Sequence, residues 1–305
     1  MIAVIDCGTN TFNLLIGKVV NQTLIEVIYN GKIPVKLGEG GIDKGILSVK
    51  AFERGLNAIC EFSKKINEFQ VEKTIAIGTA AIRDASNGNE FINACKSKTG
   101  IKIELIDGNR EAELIWFAAK NCVETYGKFL IMDIGGGSNE FVIADNEKIY
   151  WKKSYRLGLS RLKETFMLDE GNSIKKIELI QKLVLTAMSD LFENCKIHKI
   201  SHLIGTAGTF DTYANVFSIR KTGNDFDFSN RTFEFNSNEL LHFCGELIES
   251  PLEKRNAIEG IPDFRKEFMI YACLLTKVVM ENCGIEKCSL SSYALKEGVM
   301  LSYCC

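Results

Sequence analysis

The chain has 305 residues, 46% of them hydrophobic and 25% charged, with a formal net charge of −2. That length points to two domains, and the near-neutral charge excludes a global field that would draw nucleic acid to the surface. No apolar run approaches the roughly 20 residues of a membrane span, and Met1 leads directly into a strand-like segment, so the chain is expected to be cytoplasmic, with neither a membrane nor a nucleic acid as partner.

Residues 2–5 form an apolar strand that runs into Asp6-Cys7-Gly8-Thr9-Asn10-Thr11. Strands are then expected over 12–20, 23–29 and 32–36, with turns at Asn21-Gln22 and at Asn30-Gly31, the second being a strong hairpin signal. Gly38-Glu39-Gly40-Gly41 lacks the spacing of a dinucleotide fingerprint and reads as a turn. A helix is expected over 48–69, where Ser48 can cap and Phe52, Leu56, Ile59, Phe62 and Ile66 recur at helical spacing. Ile75-Ala76-Ile77 then ends in Gly78-Thr79-Ala80, and a loop opens another helix around Asp107 to Leu114.

The second half repeats this order. Phe129 to Met132 runs into Asp133-Ile134-Gly135-Gly136-Gly137-Ser138-Asn139, strands follow over 140–144 and 148–155 with a turn at Asp145-Asn146, and Leu203-Ile204 ends in Gly205-Thr206-Ala207. Asp6 and Asp133 are 127 residues apart, as are Gly78 and Gly205. The equal offset argues for a duplicated domain, 1–124 and 125–305, whose glycine-rich turns face each other across a cleft. Residues 120–128 contain no low-complexity linker, so a compact turn or a crossing helix is expected there. The expected fold is α/β, with two ribonuclease H-like domains in the plan of actin-like ATPases and sugar kinases, an analogy of pattern that fixes no reaction.

Gly135-Gly136-Gly137 removes every side chain from a turn directly after a buried strand, which lets backbone N–H groups converge on an anion. Gly8-Thr9-Asn10-Thr11 offers the same with hydroxyls added; the plainer alternative for either turn is a tight hairpin at positive φ. Asp6, Asp133 and Glu140 supply hard oxygens beside that anion, which suits Mg²⁺, or Mn²⁺, held partly through water and phosphate oxygens. Glu111 is ordinarily the kind of first-turn glutamate that stabilises a helix dipole. His198 and His202 have the spacing of a zinc pair without the glutamate of a His-Glu-x-x-His site. Lys152, Lys153, Arg156, Arg161 and Lys163 form a basic run, by default a solvated face, and together with Arg83 they make an expected track for a polyanion. Eleven cysteines without a Cys-x-x-Cys pair read as reduced core residues, with Cys304-Cys305 as a frayed end.

From Ile2 to Leu301 the chain resembles the exopolyphosphatase / guanosine pentaphosphate phosphohydrolase (Ppx/GppA) family in its short, two-domain form. The likeness rests on Asp6-Cys7-Gly8-Thr9-Asn10-Thr11, Lys36-Leu37-Gly38-Glu39-Gly40, Gly78 through Asn87, Gly108-Asn109-Arg110-Glu111-Ala112 and Asp133 through Glu140. It continues in Leu157-Gly158 with Arg161-Leu162, in Gly205-Thr206-Ala207-Gly208-Thr209, and in the closing Ser291 through Gly298. The resemblance implies a phosphoanhydride hydrolase acting on inorganic polyphosphate or guanosine pentaphosphate, with Glu111 as general base, Asp133 and Glu140 holding Mg²⁺ and ordering the attacking water, and Arg83 on a phosphate oxygen. It makes Gly205, Gly208 and Thr209 part of the phosphate cradle with Ser138 and the two glycine turns. A low-turnover sensor of such anions stays open, as does a homodimer. Arg110, Ser292, Ala294 and Lys296 depart from the family pattern, and the final helix, near 290–305, is expected to pack back on the first domain.

Overall fold

The computed structural model of the chain describes residues 1–20, 23–168 and 174–303; the turn expected at Asn21-Gln22 and the terminal Cys304-Cys305 fall outside them. The first half runs β1 (Ile2–Cys7), β2 (Thr11–Val19), β3 (Ile25–Pro34), α1 (Val49–Glu68), β4 (Lys73–Gly78), α2 (Ala80–Arg83), α3 (Gly88–Thr99), β5 (Ile103–Leu105) and α4 (Gly108–Lys120). The second begins with β6 (Phe129–Ile134), β7 (Asn139–Ala144), β8 (Ile149–Tyr155), α5 (Leu159–Phe166), α6 (Ile174–Ala187), α7 (Ser189–His198), β9 (His202–Thr206) and α8 (Ala207–Thr222). It ends with β10 (Thr232–Phe235), α9 (Ser237–Glu249), α10 (Leu252–Asn256), α11 (Asp263–Cys283), β11 (Lys287–Ser291) and α12 (Leu295–Ser302).

The first sheet has the order β3-β2-β1-β4-β5, antiparallel among β1 to β3 and parallel from β1 outward to β5. The second repeats it as β8-β7-β6-β9-β11, with β10 added antiparallel at the edge. This is the duplicated actin-like α/β plan. The helix expected over 48–69 is α1, with Leu56, Ile59, Phe62 and Ile66 buried along one face against the first sheet; Ser48 stands at its N-cap position, but its hydroxyl donates to the Glu39 carbonyl at 2.9 Å instead of capping the helix.

Two expectations of local structure are corrected. Asn30-Gly31 is no turn: both lie inside the continuous β3, paired with β2, and neither has the positive φ that an Asn-Gly hairpin needs. The Tyr29 side chain folds over Gly31, its hydroxyl 2.6 Å from where a Cβ would sit. The matched Gly-Thr-Ala segments are also out of register, since Cys7 pairs with Gly78 whereas Asp133 already pairs with Thr206. The second-half strand therefore ends and gives way to α8 level with the aspartate.

The core explains how the halves are fixed together. Apolar residues of α4 and α12 pack with Val4 and Leu15 of the first sheet and with Phe129, Ile131 and Val142 of the second, forming a middle layer between the sheets. The two helices are exchanged: α4, from the first half, lies on β7 and β8, while α12, from the end of the chain, lies on β1 and β2. They cross closely enough that a Cβ on Gly298 would sit 2.0 Å from the Leu114 carbonyl oxygen, so only glycine fits. His198 ends α7 and His202 opens β9, where it contacts the Ser289 hydroxyl at 2.8 Å, so the two histidines do not share a helix face. No helix among the described residues is long and apolar enough to cross a membrane.

Candidate active site

The four turns that end β1, β4, β6 and β9 meet between the sheets. A cleft of about 150 Å³ there is lined by Asp6, Gly8 to Thr11, Glu111, Asp133, Gly135 to Ser138, Glu140, Gly208 and Thr209. Every catalytic, phosphate-cradle and metal candidate read from the sequence is in this wall except Arg83 and Gly205, and none of the basic run from Lys152 to Lys163 is.

The glycines are present for close approach rather than for handedness. None of Gly8, Gly135, Gly136 and Gly137 has a positive φ. A Cβ on Gly136 would meet the Asn10 side chain at 2.9 Å, and one on Gly137 would meet Thr9 Oγ1 at 2.7 Å. The two turns touch, and Ser160 donates to Asn10 Oδ1 at 2.6 Å across the same junction. Gly205 is different. A Cβ on it would lie 2.0 Å from the Phe210 ring, so this glycine serves packing under α8 and the phosphate role expected of it is withdrawn.

Five carboxylates line the cleft, and four of them, Asp6, Glu111, Asp133 and Glu140, are the ones read from the sequence. Asp133 and Glu140 are cross-strand partners on β6 and β7, which puts their side chains on one face of the sheet. Glu111 enters from the first turn of α4, whose N-cap Asp107 accepts from the Arg110 N–H at 2.7 Å. Asp6 sits on β1. Burial is the largest influence on all four and raises their pKa values: Asp6 to about 6, Asp133 to about 8 with the charge of Glu140 adding to it, and Glu111 well above the carboxylate range with Glu140, Asp133 and Asp6 all adding. Glu140 is raised as well, although Ser154 donates to its Oε1 at 2.7 Å. Glu111 Oε2 is buried without a hydrogen bond, and the nearest cation, Arg83 Nη1, is 3.6 Å away.

Such a cluster fits a divalent cation, which would supply the charge that lets several buried carboxylates ionise together. No three of these side chains among the described residues are gathered as a closed metal cage. An ion here would take few protein oxygens and complete its shell with water and substrate, the habit of Mg²⁺.

Arg83 is behind the cleft wall, not in it. Its guanidinium donates to the Ile106 carbonyl at 3.0 Å and to Asp84 at 3.3 Å and faces Glu111, so the structure gives it an orienting position in place of the expected phosphate contact. The basic track is also corrected. Lys152 pairs with Glu113, Lys153 with Asp190, and both Arg156 and Arg161 with Asp84, at 3.1 and 2.7 Å. Arg110 is half exposed and pairs with Glu113, so its departure from the family pattern does not reach the cleft.

Several cleft residues were missed by sequence reasoning. Asn13 donates to Asp6 Oδ2 at 3.0 Å and stands at the position 127 residues before Glu140, so the repeat offset could have found it. Lys32, Asp211 and Arg265 also line the cleft, together with Ser292, Ala294 and Lys296. Ala207, first residue of α8, has φ +58, an unusual value outside glycine. The N-terminus of that 16-residue helix adds the positive end of its dipole to the cleft.

Comparison with known proteins agrees with this geometry. The model of the Ppx/GppA phosphatase family matches residues 15–304. The chain belongs to that family. It is 33% identical to an exopolyphosphatase from Cytophaga hutchinsonii, whose crystal structure superposes with a TM-score of 0.93 over 99% of this chain and 98% of that one. Exopolyphosphatase 2 of Mycobacterium tuberculosis is 25% identical, covering 99% of this chain and 98% of the relative. A guanosine-5'-triphosphate,3'-diphosphate pyrophosphatase of Pseudoalteromonas translucida is 24% identical, but only 58% of its length is covered.

Proposed function

We propose that the protein is a cytoplasmic exopolyphosphatase that hydrolyses the terminal phosphoanhydride bond of inorganic polyphosphate with Mg²⁺ or Mn²⁺. The observation that carries the reading is the meeting of two amide-rich turns and the N-terminus of α8 with five carboxylates, three of them buried, in one small cleft. Anion-binding backbone next to acidic side chains makes sense only for a substrate that brings both phosphate and a cation.

In this reading the terminal phosphoryl group lies on the N–H groups of Gly135 to Gly137 and of Gly208 and Thr209, with the Thr9 and Thr11 hydroxyls opposite. Glu111 accepts the proton of a water that attacks phosphorus in line; the bridging P–O bond breaks, and orthophosphate leaves together with a chain one unit shorter. Arg83 holds the Glu111 carboxylate in place from behind. The amides aimed at the equatorial oxygens stabilise the charge that spreads there in the transition state. Asp133 and Glu140 would hold the divalent ion, with Asp6 behind them, and the ion when bound supplies charge neutralisation at the phosphate oxygens.

Guanosine pentaphosphate is the second reading, favoured by the relative from Pseudoalteromonas translucida. Inorganic polyphosphate is preferred because the two exopolyphosphatase relatives match this chain over nearly their whole length. Phosphate release measured side by side on polyphosphates of several lengths and on guanosine pentaphosphate, with Mg²⁺, tests the reading. Faster release from polyphosphate is expected, and no release from either substrate would sink both hydrolase readings in favour of a sensor.

A further inference from the structure

The two sheets differ along whole rows of side chains, not only at their strand ends. In the second sheet Thr206, Asp133, Glu140 and Ser154 are successive partners on β9, β6, β7 and β8, so their side chains rise from one face in a single row. The corresponding row of the first sheet is Ile77, Asp6, Asn13 and Lys32. Only the second row sets two carboxylates side by side, and it ends in a serine whose hydroxyl donates to Glu140 Oε1 at 2.7 Å.

Ser154 does not line the cleft; it stands behind Glu140, and α4 covers it. A Cβ on Gly108 would sit 2.4 Å from Ser154 Cβ and 2.6 Å from its Oγ, so the start of the helix rests directly on this side chain. Two residues earlier on β8, Lys152 faces the same way and pairs with Glu113, further along α4. The helix is thus seated on β8 at two points, and the serine has little freedom to turn its hydroxyl away from Glu140. Ser138 also reaches Glu140 with its hydroxyl, but from the cleft wall, where a ligand can displace it. A carboxylate held by a fixed donor keeps one orientation, whereas a free one must be ordered when an ion binds, at a cost in affinity. A lysine at this place, such as Lys32 in the first sheet, would pair with Glu140 and stand in for the ion. A hydroxyl orients the carboxylate and leaves its charge uncompensated.

We propose that Ser154 is a positioning residue for the metal: it holds Glu140 in the orientation in which the carboxylate receives a divalent ion, and it touches neither the ion nor the substrate. This rests on the reading of Asp133 and Glu140 as the residues that hold the ion. Its effect is on the affinity for the ion and passes entirely through Glu140.

The test is Mn²⁺ titration in the presence of tripolyphosphate, on the full chain carrying Glu111→Gln so that the ligand is not consumed. Ser154→Ala should weaken Mn²⁺ by about tenfold, the scale for losing a partner that orients a metal-holding group. In a chain that also carries Glu140→Ala, the same change should weaken Mn²⁺ by less than about threefold, because no carboxylate is left to hold. Thermal unfolding of each variant shows that it is folded. A tenfold loss in both backgrounds would make Ser154 a general support of the fold, and no loss in either would make the hydrogen bond idle; each result overturns the proposal. With Glu111 restored, saturating Mn²⁺ should return phosphate release by Ser154→Ala to within about threefold of the wild type, since only the affinity for the ion has changed. A larger deficit that persists at saturation overturns the proposal as well. A wild type that binds no Mn²⁺ removes the metal site and this role with it. A wild type that binds Mn²⁺ and shows the expected pattern, yet releases no phosphate, strikes the hydrolase reading alone and supports the role of Ser154.

Discussion

The two halves of this protein place an aspartate at the end of an equivalent strand and then give it opposite neighbours. In the first half Asp6 faces Asn13, whose amide donates to it and satisfies one oxygen. In the second, Asp133 faces Glu140 at the same repeat position, and the Glu140 charge adds to burial in raising the Asp133 pKa. Asp6 has an amide donor opposite it, whereas Asp133 has a second carboxylate, which accepts from Ser154 and offers Asp133 no donor. The comparison teaches that a duplicated fold divides labour by changing one side chain opposite a shared aspartate: the first half contributes a neutral cradle, the second the charge for the metal.

The exchanged helices join that division to catalysis, because Glu111 belongs in sequence to the first half but projects from α4 toward the carboxylates of the second. Replacement by glutamine removes the proton acceptor and little else. Glu111→Gln is expected to fold normally and to lose hydrolysis by roughly 10²- to 10⁴-fold, the range for lost general acid–base catalysis. Phosphate release from the purified variant, with its thermal unfolding followed in parallel, checks this. Near-native release would detach Glu111 from the chemistry.

The cation requirement has a pH signature. Asp133 and Asp6 are raised from 3.8 to about 8 and about 6, so the folded protein holds protons that the unfolded chain releases. Stability from that source is full at acid pH and is lost as pH rises between the two states' pKa values, from about 4 to about 8. Without divalent ions the unfolding midpoint should fall across this window. Mg²⁺ should restore it, by up to about 2.7 kcal/mol at a hundredfold excess over its dissociation constant, and more at about pH 8 than at about pH 5.5. Thermal scans in chelator and in Mg²⁺ read the difference, and an equal Mg²⁺ effect at both pH values would count against it.

A smaller effect is expected where the halves are tied. Asp84, from the first half, accepts from Arg161 of the second at 2.7 Å. Asp84→Asn removes the charge and should cost about 2 kcal/mol of stability in denaturant unfolding. No change in the midpoint would show that the tie contributes little. Smallest of all is Ala207→Gly. A glycine inside a helix usually destabilises, yet here φ is +58, so the variant should be unchanged or more stable by up to about 1 kcal/mol. A clear loss would mean that the strained alanine is held by packing instead.

What was legible in the sequence follows the same contrast. Asp6, Asp133 and the glycine turns could be read because strand ends and repeat offsets are local signals. The same offset links Asn13 to Glu140, so the difference between the halves was written there too. Lys32, Asp211 and Arg265 gave no sign: they come from β3, α8 and α11 and meet only when the halves pack. The basic run misled because a cluster of cations says nothing of Glu113, Asp190 and Asp84 waiting opposite. Glycines misled in the same way, since Gly31 and Gly205 answer to the rings of Tyr29 and Phe210, which periodicity does not reveal.

The division between the halves is tested most directly by Mn²⁺ titration of three proteins in the presence of tripolyphosphate: the wild type, Glu140→Gln and Asn13→Ala. The account predicts that Glu140→Gln weakens Mn²⁺ by at least about tenfold, the scale for losing a side chain that holds or orients a metal, and that Asn13→Ala changes it by less than about threefold. Equal losses in the two variants, or a wild type that binds no Mn²⁺, would contradict it.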